Sequence, residues 1–174
     1  MSWRSLENGI WNEDWREDID FAVEDPVNGL LFASSSHRCP FIGSWMYGMI
    51  VVDLEKQSYL TLGWVETKSI DYIFLDSDRE HVYYFFYGGD VSVFSAKGDH
   101  QEVTQFNCGV YHIDSVAYEG SNLVIRGRTY EQAGVQSTYR LEDWNTVYES
   151  LESRLPCDLI TKIVDELPTM YIKC

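Results

Sequence analysis

Val82-Tyr83-Tyr84-Phe85-Phe86-Tyr87-Gly88-Gly89-Asp90-Val91-Ser92-Val93-Phe94-Ser95 is the stretch whose reading decides the fold. Two runs of aromatic and β-branched residues flank a Gly-Gly pair. Glycine reaches positive φ without a Cβ clash, so such a pair between apolar runs marks a β-hairpin. Aromatic interleaving from Tyr83 to Tyr87 also suits base stacking, but stacking needs a basic groove beside it. The sequence provides no such groove, and a buried strand pair is the better reading.

The same pattern extends in both directions. Leu30–Ser34, Gly48–Asp53, Ser58–Val65 and Ile70–Leu75 precede the hairpin as expected strands. Glu102–Phe106, Val110–Tyr118, Asn122–Arg126 and Val135–Leu141 follow it. Turn signals at Glu55-Lys56, Lys97-Gly98-Asp99, Glu119-Gly120-Ser121-Asn122 and Gln132-Ala133-Gly134 separate them. Strands this close, joined by short turns, imply an antiparallel meander of about ten strands and not a parallel βαβ sheet. A weak repeat runs through it: Gly48-Met49-Ile50-Val51-Val52-Asp53, Gly89-Asp90-Val91-Ser92-Val93-Phe94-Ser95 and Gly134-Val135-Gln136-Ser137-Thr138-Tyr139-Arg140. The spacing of roughly 41 to 45 residues is that of a propeller blade. Three blade-like sheets and an open sandwich both satisfy it.

The flanks differ from the meander. Residues 1–26 form an acidic lead-in, in which Glu7, Glu13, Asp14, Glu17, Asp18, Asp20, Glu24 and Asp25 face Arg4 and Arg16. It carries Trp3, Trp11 and Trp15. A short helix over Asn12–Ile19 and a first strand at Phe21-Ala22-Val23 are both compatible with it. The meander occupies 27–141. In residues 142–174, Trp144, Val147, Tyr148, Leu151 and Leu155 fall at helical spacing before Pro156. Leu159, Ile160, Ile163, Val164 and Leu167 repeat that spacing before Pro168, giving two short C-terminal helices. The whole reads as one mainly β domain of 174 residues, long enough to bury roughly 70% of its unfolded surface.

Charge sets the functional expectation. The chain carries 28 acidic residues against 13 basic ones, a formal net charge of −15. Such a surplus repels nucleic acid and membrane surfaces and attracts basic partners. Met1-Ser2-Trp3-Arg4-Ser5-Leu6-Glu7 lacks the features of a signal peptide, and no apolar run is long enough to span a bilayer. Cys39, Cys108, Cys157 and Cys174 are dispersed, so a cytoplasmic protein with reduced thiols is expected.

No motif points to catalysis. A P-loop, a Gly-x-Ser-x-Gly elbow, a His-Glu-x-x-His pair and a dinucleotide fingerprint are all lacking from the sequence. Asp76-Ser77-Asp78-Arg79-Glu80 faintly resembles a calcium loop, but His81 stands where glycine is required and Tyr87 where glutamate is. His37, Cys39, Cys108 and His112 make up the inventory of a zinc site without its usual spacing. We therefore expect no enzyme activity, no catalytic residue, no metal and no cofactor.

That leaves acid and aromatics as the working surface. Trp11, Glu13, Asp14, Trp15, Glu17 and Asp18, with Asp76, Asp78 and Glu80 on a hairpin loop, are the expected partner-binding residues. Tryptophan is a favoured interface anchor, and carboxylates around it suit a basic protein surface. In overall build, including the Trp11–Asp25 stretch and the Tyr83–Phe94 hairpin, the chain resembles the immunity proteins of bacterial polymorphic-toxin and contact-dependent growth inhibition systems. The resemblance implies a basic protein partner, a toxin nuclease domain, whose active site is occluded, and it transfers no individual residue. Other readings are a nucleic-acid mimic that inhibits a DNA-binding protein, a propeller-like adaptor and, last, a hydrolase. Far-UV circular dichroism should show strand content well above helix content; a helix-dominated spectrum would overturn the architecture.

Overall fold

The structure, a computed structural model, describes residues 4–5, 18–38, 44–66, 68–120, 122–141 and 171–173, with the backbone alone at 4–5, 18–19, 37–38, 140–141 and 171–173. Strands β1 (Arg4–Ser5), β2 (Asp18–Asp25), β3 (Leu30–Arg38), β4 (Trp45–Asp53) and β5 (Ser58–Glu66) form a first sheet in the order β1-β5-β4-β3-β2. β6 (Ile70–Asp76), β7 (His81–Phe86), β8 (Asp90–Ser95) and β9 (Glu102–Asn107) form the second in sequential order. β10 (His112–Glu119), β11 (Asn122–Arg128), β12 (Val135–Leu141) and β13 (Tyr171–Lys173) form the third, also in sequence. Every pairing among the described residues is antiparallel. The expected meander is thus three open sheets. No helix among the described residues is long and apolar enough to cross a membrane.

The second sheet is the middle layer. Val82, Tyr84, Phe86 and Phe94 pack against Phe32, Met49, Val51 and Leu60 of the first sheet. The opposite face, with Tyr83, Phe85, Val91 and Val93, packs against Ile113, Val116, Leu123, Ile125 and Tyr139 of the third. Alternate side chains of a strand point to opposite faces, so a strand covered on both sides has no polar face to spare. This is why β7 reads as an unbroken apolar run. Its hairpin forms where the Gly-Gly pair stands, with φ of 99° at Gly88 and 92° at Gly89.

Two tyrosine hydroxyls cross the layer boundaries. Tyr84 is wholly buried and donates to the Ile50 carbonyl of β4 at 2.9 Å. Tyr83 exchanges a hydrogen bond of 2.9 Å with Tyr118 of β10. Burial pushes both the Tyr84 and Tyr118 hydroxyls above their usual range, that of Tyr118 to about 12. Ser137 and Tyr139 of β12 add bonds to the Cys108 and Asn107 carbonyls, at 2.8 and 2.9 Å.

The three sheets repeat each other. The glycine-led echoes of the sequence fall on β4, β8 and β12, the third strand of each four-stranded meander. A second repeat lies on the first strands. Ile19-Asp20, Ile70-Asp71 and Ile113-Asp114 each sit at a register shift, where the aspartate is left out of the ladder as a β-bulge. From each aspartate the strand runs five residues to a terminal acid, Asp25, Asp76 or Glu119. These first strands are also where the sheets approach one another, β2 beside β6 and β6 beside β10.

A third device builds the hairpins. In 25–29, 53–57 and 76–80, Oδ1 of the leading aspartate accepts backbone N–H groups two or three residues on: Val27 and Asn28, Lys56, and Asp78 and Arg79. Oδ2 accepts the side chain of the fourth residue, from Asn28 and Lys56 at 2.6 Å and from Arg79 at 3.3 Å. The fifth residue, Gly29, Gln57 or Glu80, takes a φ of 66°, 50° or 57°. An Asx-type turn of this kind fixes the register of the strands it joins.

The flanks are partly drawn into the sheets. The first strand that Phe21-Ala22-Val23 suggested is present and paired with Ser34, Ala33 and Phe32. It extends back over Asp18 and Ile19, paired with Ser36 and Ser35 of β3, where ladder bonding replaces the end of the possible short helix. The meander accordingly starts at Asp18 and not at residue 27. Residues 12–17 and the two C-terminal helices over 142–168 lie outside the described residues; Tyr171–Lys173 pairs with β12. Removal of the Tyr84 hydroxyl deletes a wholly buried hydrogen bond between the second and first sheets. Urea melts should show Tyr84→Phe costing about 1–3 kcal/mol, and Tyr83→Phe less, because half-buried Tyr118 can turn to water.

Candidate functional site

Antiparallel meanders divide the connections between two ends. The aspartate turns at 25–29, 53–57 and 76–80 lie at one end. At the other lie the start of β2, the start of β4, Lys68-Ser69 before β6, the Tyr87-Gly88-Gly89 turn, and the links at 108–111 and 129–134. Backbone bonds tie this second end together: Tyr87 N–H to Ser69, Gly88 N–H to Tyr111, Cys108 N–H to Gly89, and Tyr111 N–H to Arg128.

Exposed aromatics collect there. Trp45 is 48% exposed, Tyr87 39% and Tyr130 72%, at a strand start and in turns of this end. Phe21, 42% exposed, stands in the first half of β2, and Trp64, 40% exposed, is near the end of β5 on the outer face of the first sheet beside Gly48. Among the described residues, the large exposed apolar side chains of the turn end are the aliphatic Val27 and Leu54. Scattered surface hydrophobes are ordinary, whereas exposed aromatics concentrated at one end make that end the candidate site.

Two features make up the site. The first is a ring cluster. Tyr87 meets His112 edge-on at 5.6 Å and Tyr130 at 6.3 Å, and Tyr111 lies 4.3 Å from Tyr130, centroid to centroid. A hydrogen bond with Tyr87 raises the Tyr130 hydroxyl above its ordinary pKa. The second is a cleft of about 530 Å³ lined by Asp20, Phe21, Ser36, Trp45, Tyr47, Ser69, Ile70 and Asp71. Asp71 joins the two: one oxygen lies 2.7 Å from His112 Nδ1 and the other accepts the Ile113 N–H at 2.6 Å. A smaller hollow of about 410 Å³ lies between Val65, Glu66, Phe86, Ser92 and Phe106. At its rim Lys68 pairs with Asp90, and this bond, reinforced by Asn107, holds the Asp90 carboxyl below its usual pKa. That carboxylate is already neutralised, which makes the larger cleft the more acidic of the two.

The expected partner residues are divided by this geometry. Trp11, Glu13, Asp14, Trp15 and Glu17 lie outside the described residues, while Asp18 opens β2 at the aromatic end. Asp76, Asp78 and Glu80 sit at the turn end, separated from Asp18 by the length of a sheet. Asp76 is buried and both its oxygens are held inside the turn, so it shapes the loop instead of facing a partner. Asp78 and Glu80 are exposed, and Glu80 pairs with Lys97 at 2.5 Å.

Of the zinc inventory, Cys108 is buried with its thiol toward the Val110 carbonyl, and His112 is engaged by Asp71. Cys39 lies outside the described residues, as does the His37 side chain. Among the described residues no three His, Cys, Asp or Glu side chains converge on a metal position. Sequence reading missed Asp20, Phe21, Trp45, Asp71, Tyr87 and Tyr130 as a group. The available signal was the thrice-repeated Ile-Asp. No protein-family model matches the chain, and no curated protein matches it either.

The bulge aspartates give a direct test of the geometry. Asp71→Ala removes a bond between the second and third sheets and should lower stability by about 1–3 kcal/mol. Asp20→Ala, at the equivalent but exposed position, should change it by no more than about 0.5 kcal/mol. Equal losses in urea denaturation would contradict the distinction.

Proposed function

We propose that this protein acts by stoichiometric binding, docking its aromatic end on a basic protein surface, and that it is an immunity protein covering the active site of a cognate toxin nuclease. The observation that carries the docking surface is the concentration of Phe21, Trp45, Tyr87 and Tyr130 at one end of the sheets. Aromatic rings supply contact area at low conformational cost and dominate interface energetics. The net charge of −15 selects the partner's sign and accelerates encounter. The acidic lead-in joins β2 at this same end, which brings Asp18 and Asp20 to the rim of the aromatics. A basic cleft covered by such a surface loses access to RNA or DNA, and inhibition needs no chemistry from the inhibitor. The immunity reading in particular is supported by this charge, by the mainly β build and by the lack of a catalytic motif in the sequence.

The experiment is to test the reading frames that adjoin the gene for a toxin nuclease domain, co-express such a domain with this chain, and follow association of the purified pair by stopped flow. Neighbouring frames whose products are neither toxic nor bound would overturn the immunity reading. Growth should be restored, and association should slow as salt rises, since screening shortens the reach of exposed charges to about 8 Å at physiological ionic strength. Tyr130→Ala and Trp45→Ala should each weaken binding by about 2 kcal/mol with an unchanged melting temperature. A flat salt series with unaffected variants would rule out this surface.

A further inference from the structure

The three-fold repeat exposes an unfilled position. At the junction of the second and third sheets, the bulge carboxylate of Asp71 is met by the His112 ring nitrogen and the Ile113 N–H. His112-Ile113-Asp114 on β10 corresponds to Ser69-Ile70-Asp71 at the start of β6, because both Ile-Asp pairs sit at the same bulge of a first strand. Asp20 is the matching bulge residue of the first sheet. At its junction the residue in the place of His112 is Ser69, whose side chain is too short to bring a nitrogen to the carboxylate. Among the described residues no hydrogen bond or ion pair reaches Asp20, and the 530 Å³ cleft opens there between Asp20, Ser69, Ile70 and Asp71.

We propose that this cleft receives an arginine side chain of the partner, whose guanidinium takes the place that His112 occupies at the neighbouring junction. The inference rests on the aromatic end being the docking surface and names the group recognised there. Arginine fits better than lysine for two reasons. Its planar fork can bond Asp20 while a second N–H reaches the outer lone pairs of Asp71, which the His112 and Ile113 contacts leave open. Trp45, Phe21 and Tyr47 wall the cleft, and a guanidinium stacks on aromatic faces where an ammonium remains strongly hydrated. The volume lies within the roughly 300–1,000 Å³ of ordinary ligand pockets, which leaves space for the flanking peptide.

The test is an NMR titration of the ¹⁵N-labelled full chain with hexa-arginine, hexa-lysine and hexa-citrulline peptides. Hexa-arginine should bind saturably with shifts at the Trp45 indole and the Asp20 and Ser69 amides, hexa-lysine more weakly, and neutral hexa-citrulline not at all. Asp20→Asn should weaken hexa-arginine binding by about tenfold, the loss of a charge-assisted hydrogen bond. Ser69→His installs the donor found at the other junction and should abolish hexa-arginine binding while leaving the melting temperature equal or higher. Equal binding of arginine and citrulline peptides, or unaltered hexa-arginine affinity in both variants, overturns the proposal. If Asp20→Asn and Ser69→His bind the cognate toxin domain like the parent while Tyr130→Ala does not, the arginine pocket falls and the docking surface stands.

Discussion

A strand buried on both faces cannot leave a hydroxyl unbonded, and β7 places two adjacent tyrosines under that constraint. Tyr84 faces the first sheet and Tyr83 the third, because neighbouring side chains of a strand point in opposite directions. Each must find an acceptor across a layer boundary, since an orphaned buried polar group is costly. Tyr84 finds it at the Ile50 carbonyl of β4, beside the register shift between β4 and β5 at which Leu62 is left out of the ladder. Tyr83 finds Tyr118, whose ring in turn lies 3.8 Å beneath the Arg79 guanidinium. Apolar burial pulls the three sheets together without direction; these hydroxyl bonds fix how each sheet sits on the next.

Orientation of the sheets then decides what each end can do. Bulges at Asp20, Asp71 and Asp114 put one carboxylate per sheet near the end where the first strands begin. At the far end of two of those strands, Asp25 and Asp76 close hairpins with both oxygens occupied. The same residue type therefore performs two tasks five positions apart. One set holds backbone; of the other, Asp20 and Asp71 stand at the junctions between sheets, while Asp114 pairs with Arg128 within the third sheet. Gly127 shows how closely those junctions are built: a Cβ there would lie 1.9 Å from the His112 carbonyl oxygen, so the strand beside the Asp71–His112 pair admits no side chain.

Much of this was legible in the sequence because it is local. The Gly88-Gly89 hairpin, the strands of the meander and the echoes on β4, β8 and β12 all follow from turn chemistry and residue period. Three sheets rather than a sandwich could not be chosen that way, since the choice depends on which faces pack together. The first strand was only half legible: Phe21-Ala22-Val23 reads as one, but Asp18 and Ile19 are equally compatible with the end of a short helix until Ser36 and Ser35 appear as their partners. The site was harder still. Trp45 and Phe21 are separated from Tyr87 and Tyr130 by many residues, and they share an end only because antiparallel strands return the chain to it. The Ile-Asp repeat was in plain view, but a dipeptide gains meaning only when its place in each sheet is known.

The acid surplus can now be divided by physical role. Carboxylates such as Asp25, Asp53 and Asp76 lie buried and bonded within turns, where their charge stabilises the hairpin and does little for solubility or recognition. Glu119 and Asp114 are balanced by Arg126 and Arg128. Asp20 is exposed beside aromatic rings and no basic side chain among the described residues answers it. A net charge of −15 draws any basic surface from a distance, yet it cannot make one contact preferable to another. Selectivity needs a carboxylate left open in a shaped, partly apolar setting, where desolvation strengthens the bond to a correctly placed cation and penalises a poor fit. On the described surface the repeat supplies that setting by omission, through a serine at position 69 where its own pattern places a histidine at 112.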